Sequence, residues 1–196
     1  MSQRTVFSML DSAAVKYAND PYLSTKRDQG WVRTSFSDAK IKARHLASAF
    51  IELGIKADDK ISILSEAKSD WIIAEFAALY VGGISVPLSI KLLPEEVTFR
   101  VNHSDASLLI LSENTLEKVI SQWDKYQYKG LKIVLLDKPS EKISKQCKKY
   151  DFDEKELLFV GNLYKIGEEK MPSNEDKLSE IEQHTKEDQV VTISYT

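Results

Sequence analysis

Residues able to do chemistry are few, and their spacing says as much as their types. A backbone amide approaches a phosphate closely only where no Cβ intervenes, so phosphate loops need glycine. The chain has seven glycines: Gly30, Gly54, Gly82, Gly83, Gly130, Gly161 and Gly167. None falls into G-x-G-x-x-G or G-x-x-x-x-G-K-[ST] spacing, so no self-contained dinucleotide or P-loop site is expected. The pair Gly82-Gly83 follows a helical pattern and reads as a helix stop ahead of a strand. The histidines His45, His103 and His184 lie far apart, without the H-x-x-x-H or H-E-x-x-H spacing of a metal site. His103 sits in Asn102-His103-Ser104-Asp105 at a predicted helix end, where it suits the helix dipole. His45 borders the apolar face of a long helix and reads as structural. Cys147 stands among Lys145, Lys148 and Lys149. These lysines favour a thiolate, yet the segment reads as solvated, so an incidental surface thiol is expected. Carboxylate runs such as Asp153-Glu154-Lys155-Glu156 mix with lysine and read as a solvated face. No local catalytic constellation emerges.

The elements that must position these residues follow from periodicity. Val6, Met9, Leu10, Ala13, Ala14 and Tyr17 have the spacing of a helix face, with Thr5 as N-cap. Tyr22 to Lys26 and Trp31 to Thr34 are β-prone runs that predict a hairpin around Arg27-Asp28-Gln29-Gly30. Ser35-Phe36-Ser37-Asp38 matches a capping box. It opens a helix to Leu53 whose inward face is Ile41, Leu46, Ala47, Phe50 and Leu53, with Gly54 at its end. Strand patterns then begin at 61, 84, 108 and 131, at intervals of 23, 24 and 23 residues. Helical patterns lie between them, and Pro94-Glu95-Glu96 opens one of these. Such alternation means crossovers, hence an α/β fold: a parallel sheet flanked by helices on both faces. Ile61, Ile63, Val86, Leu109, Ile110, Val134 and Leu136 are the expected core. The whole reads as a single unit, 1–196, either closed by its last strand or cut within a larger domain. Within it, 1–57 holds the helix, hairpin and long helix, and 58–137 the parallel βα units. Residues 138–189 carry 10 Lys and 13 Asp plus Glu, which predicts charged helices and a linker. Residues 190–196 read as a buried strand with nothing after it.

Composition sets the outer bounds. Of 196 residues, 42% are apolar and 29% charged, too apolar for a disordered chain. One cysteine excludes an internal disulfide framework. A net charge of −3 argues against nucleic acid as a partner. The longest uncharged apolar run, Phe76 to Ile90, has 15 residues and is broken by Gly82, Gly83 and Pro87. A spanning helix needs about 20, so no transmembrane segment is expected. The amino terminus lacks the apolar core of a secretory signal, which points to the cytoplasm.

Four stretches, in order, resemble the amino-terminal part of the AMP-forming adenylating enzymes, which include acyl-CoA synthetases, luciferases and peptide-synthetase adenylation domains. Trp31-Val32-Arg33-Thr34-Ser35-Phe36-Ser37-Asp38 resembles W-x-x-x-T/S-Y/F-x-E/D. Leu53-Gly54-Ile55 with Asp59-Lys60-Ile61-Ser62-Ile63-Leu64-Ser65 resembles L-G-I … G-D-K-V-A-I-L-S, with Asp58 in place of the usual glycine. Trp71 with Leu79-Tyr80-Val81-Gly82-Gly83-Ile84-Ser85-Val86-Pro87-Leu88 is similar to W … L-x-x-G-A-x-x-V-P-L. Asp188 with Val190-Val191-Thr192-Ile193-Ser194-Tyr195-Thr196 is similar to the strand that runs into Y-T-S-G-T-T-G-x-P-K-G. Leu64-Ser65-Glu66 with Trp71 leans toward the long-chain fatty acid–CoA ligase branch.

The resemblance implies ATP, Mg²⁺ and CoA as the whole enzyme's cofactors, and a fatty acid as substrate. It implies that Thr196, and after it Tyr195, lie near the nucleotide, with the Thr196 hydroxyl on phosphate or metal. The phosphate loop, its lysine, the Mg²⁺-binding glutamate and the ribose-binding aspartate would all follow Thr196. The 196 residues alone are therefore expected to be inactive and to hold no cofactor. The terminal strand is expected to be poorly ordered or to drive self-association. The full-length protein is expected in the cytoplasm or peripheral to a membrane. Two alternatives stand beside this reading: another adenylating branch, such as an aryl-CoA ligase or a peptide-synthetase adenylation domain, and a stand-alone interaction module.

Overall fold

The computed structural model describes residues 4–27 and 30–195. Helix α1 (Val6–Lys16) starts at Thr5. The Thr5 hydroxyl accepts from the Ser8 amide at 3.3 Å and the Ser8 hydroxyl accepts from the Thr5 amide at 3.0 Å. This reciprocal cap occupies two amides that the first helical turn leaves unpaired. The buried face is Phe7, Leu10 and Ala14 rather than the expected stripe, and Met9 is 69% exposed. Phe7 is the reason. Its ring packs against Tyr80, centroids 5.5 Å apart, and rotates the helix by one position.

The hairpin pairs β1 (Pro21–Arg27) with β2 (Gly30–Ser35) antiparallel; Asp28 and Gln29 of its expected turn lie outside the described residues. Helix α2 (Phe36–Glu52) begins where the Ser35 hydroxyl accepts from the Asp38 amide at 3.1 Å. It ends at Gly54, whose φ of +83° is the left-handed turn that glycine adopts freely. Its inward face is Ala39, Ala43, Leu46, Ala47 and Phe50. Ile41, expected there, is 48% exposed because the small residues Ala39 and Ala43 take the contact.

The sheet has five parallel strands: β3 (Lys60–Leu64), β4 (Ile84–Pro87), β5 (Ala106–Leu111), β6 (Lys132–Leu135) and β7 (Leu157–Phe159). Their spatial order is β4-β3-β5-β6-β7. Crossovers run through α3 (Ser69–Tyr80), α4 (Pro94–His103), α5 (Leu116–Ile120) and α6 (Glu141–Lys149). Alternate residues of β5 enter different cores. Leu108 and Ile110 join Phe50, Leu46 and Tyr80 on one face; Leu109 and Leu111 join Val97, Val101 and Val119 on the other. A strand covered on both faces reads as continuous apolar sequence, as here. All seven expected core residues are buried.

Residues 138–189 hold more order than a linker. Strand β7 is three residues long and follows a single charged 3₁₀ turn, Glu154–Glu156, so it offers no periodicity to read. Helix α7 (Val160–His184) then lies along α2. At Gly167 the backbones meet so closely that a Cβ would sit 1.7 Å from the His45 carbonyl oxygen. Polar contacts finish the joint. The buried Asn174 amide donates to Ser48 Oγ at 3.1 Å and to Glu52 at 2.9 Å. Arg44 pairs with Glu175 at 2.7 Å and with Glu182, its guanidinium 5.6 Å from the Tyr80 ring centre.

Residues 190–195 are a correction to the buried-strand expectation. They run parallel to β4, the Ser85 amide donating to the Val191 carbonyl and the Ile193 amide to the Ser85 carbonyl, both at 2.9 Å. Val191, Ile193 and Tyr195 are half-buried while Thr192 and Ser194 are exposed and Val190 is 57% exposed. The period is that of a half-covered edge.

Candidate functional site

In an open parallel sheet, ligands settle outside the carboxyl ends of the strands, where successive crossovers leave for opposite faces and open a crevice. Here that point lies between β3 and β5. The chain leaves β3 toward α3 on one face and leaves β5 toward α5 on the other. Polar residues gather there. The buried Thr115 hydroxyl donates to the Leu64 carbonyl at 2.7 Å and accepts from the Ser112 amide at 3.1 Å, tying the two strand ends together. Glu66 follows β3 with one buried carboxylate oxygen lacking a hydrogen-bond partner. Burial raises the pKa of this carboxyl. Hydrogen bonds from Ser112 and Asn114 and the nearby Lys68 charge outweigh that and hold it below the usual carboxylate range.

Beside this point a cleft of about 1370 Å³ runs along the ends of β3, β6 and β7, with the β1–β2 hairpin on its flank. Its floor is braced by Asp137, which accepts from Lys68 Nζ at 2.5 Å and from the Glu113 amide at 2.6 Å. Tyr164 on α7 donates to Asp70 on α3 at 2.8 Å; burial and that carboxylate both push its phenol well above the ordinary range.

The residues singled out by sequence scatter. Thr196 lies outside the described residues. Tyr195 is anchored on α4. Its hydroxyl is 2.9 Å from His103 Nδ1 and 3.4 Å from the Arg100 carbonyl. Its ring meets His103 edge-on and lies under the Arg100 guanidinium. His103 does end α4, as expected, but it also holds the terminal segment. His45 lies at the α2–α7 contact through its backbone. His184 is exposed at the end of α7. Cys147 is a correction: the thiol is buried, not on the surface, and burial followed by Glu154 raises its pKa. Helical spacing signalled this, since Ile143 and Cys147 stand four apart on one face of α6 and both are buried.

Fit to the expected cofactors can be tested on these groups. Among the described residues no three His, Cys, Asp or Glu side chains cluster to hold a metal ion. Tyr195 supplies one hydroxyl, already bonded to His103. The described residues therefore do not by themselves gather such a cluster for Mg²⁺.

What this scaffold belongs to is decided by comparison. The sequence profile described as "AMP-binding enzyme" matches residues 10–196. The chain belongs to the AMP-binding enzyme family. Among relatives, a 4-hydroxybutyrate–CoA ligase of Metallosphaera sedula is 29% identical over 126 residues, 64% of this chain and 22% of that protein. A fatty acyl-CoA synthetase of Dictyostelium discoideum is 31% identical over 94 residues, 48% of this chain and 14% of that protein. A long-chain-fatty-acid–CoA ligase of Rattus norvegicus is 24% identical over 141 residues, 71% and 20%. The chain thus spans about a fifth or less of the length of these relatives. In fold it is similar to an anthranilate CoA ligase solved with anthranoyl-AMP, TM-score 0.70 at 17% identity over 84% of this chain and 28% of that one. It also resembles the coronafacic acid ligase of Pectobacterium brasiliense, TM-score 0.68 at 18% identity over 98% and 33%. The AMP-binding enzyme scaffold accounts for the parallel order of the strands. It also accounts for Asp58, which stands where the resembled pattern has glycine and takes a left-handed φ of +66°.

Proposed function

We propose that this chain is the amino-terminal scaffold of an AMP-forming acid–CoA ligase, with a long-chain fatty acid as the substrate. In that reaction a carboxylate attacks the α-phosphate of ATP and releases pyrophosphate. The CoA thiol then attacks the acyl carbonyl and AMP leaves. The observation that carries the reading is the family match running unbroken from residue 10 to residue 196. The fatty-acid choice is supported by relatives named for fatty acyl and long-chain substrates. A relative named for 4-hydroxybutyrate and a structural neighbour named for anthranilate favour a short or aromatic acid as the second reading.

Tyr195 and Thr196 are the residues of this chain assigned to the nucleotide side, with phosphate or metal contact assigned to the Thr196 hydroxyl. The 196 residues alone are assigned no catalysis. The cytoplasm, or its membrane surface, is the assigned compartment; no helix among the described residues is long and apolar enough to cross a membrane.

The test begins with the reading frame after Thr196. Codons for Ser-Gly-Thr-Thr-Gly are the expected result, and a stop codon contradicts the ligase reading in favour of a stand-alone interaction module. The expressed full frame is then given ATP, CoA and a panel of palmitate, 4-hydroxybutyrate and anthranilate. Highest kcat/KM for palmitate is expected; preference for either other acid overturns the fatty-acid choice and leaves the ligase reading standing.

A further inference from the structure

The terminal segment has two attachments, and they differ in kind. Near its start, one parallel bridge ties it to the edge of β4 through Ser85. At its end, three contacts converge on one side chain. The Tyr195 hydroxyl is 2.9 Å from His103 Nδ1, the two rings meet edge-on with centroids 5.7 Å apart, and the Arg100 guanidinium lies 5.6 Å from the Tyr195 ring centre. His103 is itself backed by Phe99, ring centroids 5.4 Å apart. Arg100 is held in turn by the Glu96 carbonyl at 3.3 Å. A segment bridged at one point can still pivot about it. A second anchor on a rigid helix removes that freedom and sets the direction in which the chain leaves Tyr195.

We infer that His103 and Arg100 clamp Tyr195 to α4, and that His103 is a positioning residue for the nucleotide loop that the proposed function places after Thr196. The second half of this inference rests on that function; the clamp itself does not. His103 touches no reacting atom. It acts by limiting the orientations that the strand end, and whatever follows it, can sample before substrate arrives, which lowers the ordering cost of binding.

Three substitutions separate the contacts. His103→Ala removes ring and hydrogen bond, His103→Phe keeps a ring, and His103→Gln keeps a side-chain hydrogen-bonding group. Hydrogen exchange on the 196-residue chain reads the clamp at the Ile193 amide. Loss of one such hydrogen bond predicts exchange faster by roughly two- to fivefold in His103→Ala and His103→Phe, with protection restored in His103→Gln. The β5 amides are the internal reference and do not change. Unaltered Ile193 exchange in His103→Ala overturns the clamp. In the full-length protein His103→Ala raises KM for ATP by the same roughly two- to fivefold, leaves KM for the acid unchanged, and is rescued by His103→Gln. Equal KM for ATP in His103→Ala and the parent, or equal rises for both substrates, overturns the positioning role. Failure of the unsubstituted protein to form acyl-adenylate refutes the proposed function instead, and the exchange result still decides the clamp.

Discussion

Strand β5 and the terminal segment 190–195 both read as strands in sequence, and the fold treats them differently. Leu108-Leu109-Ile110-Leu111 has β3 on one side and β6 on the other, helices on both faces, and no exposed residue among the four. The terminal segment has one bridge to one neighbour and buries only alternate residues, in part. An apolar run therefore states what a segment is able to do. Full burial requires a partner strand on each edge and a helix over each face, and in this chain the terminal segment has neither.

The widest gap between the two regions should appear in Ile110→Ala. Its side chain is fully buried, so loss of transfer energy and the cavity left behind should cost about 2–5 kcal/mol. Urea unfolding measures this, and a loss below about 0.5 kcal/mol would break the comparison at its strong end. Gly167→Ala probes a contact of a third kind, where backbones touch. Alanine favours a helix by about 1 kcal/mol over glycine, yet the added Cβ meets the His45 carbonyl. Net destabilisation of about 1–3 kcal/mol is expected, and a gain in stability would show that α7 can move off α2 freely.

Ile193→Ala should cost under about 1 kcal/mol, because a half-buried side chain on an edge surrenders only part of its transfer energy. A cost equal to that of Ile110→Ala would erase the distinction between the regions. The smallest effect concerns Glu75, which accepts from Ser85 Oγ at 3.1 Å directly behind the terminal bridge. Burial raises its carboxyl pKa, and the Ser85 hydrogen bond only partly opposes that. A raised folded-state value means the folded protein binds the proton more tightly. The associated stability is present below the unfolded value of about 4.3 and is lost as pH rises through the folded value. Glu75→Gln should therefore gain stability relative to the parent at neutral pH, with the gain shrinking at about pH 4. Urea midpoints at the two pH values check it; a gain that grows toward acid contradicts the sign.

Much of the sheet was legible because β3 to β6 are apolar runs separated by helix signals at even intervals. The α2 and α7 joint was not. It rests on a glycine, an asparagine and charged pairs whose partners lie more than 120 residues apart, in a segment whose composition reads as solvated. The α1 face was displaced by one residue because Phe7, with no partner visible in sequence, found Tyr80. At the candidate site, Tyr195 was legible only through a resembled motif. His103, separated from it by 92 positions, carried only a capping signal, which hid its second role. Glu66, Ser112 and Asn114 were invisible as a group, since topology alone brings the ends of β3 and β5 together.

The proposed function has this scaffold serving an acid-activating ligase, with catalysis assigned to residues beyond Tyr195. Pyrophosphate release tests it most directly, with ATP, Mg²⁺ and palmitate supplied to the full-length protein and, in parallel, to the 196-residue chain. The account predicts palmitate-dependent pyrophosphate from the full-length protein and none above the no-protein blank from the chain. Release by the isolated chain, or no release by the full-length protein with any acid of the panel, would contradict it.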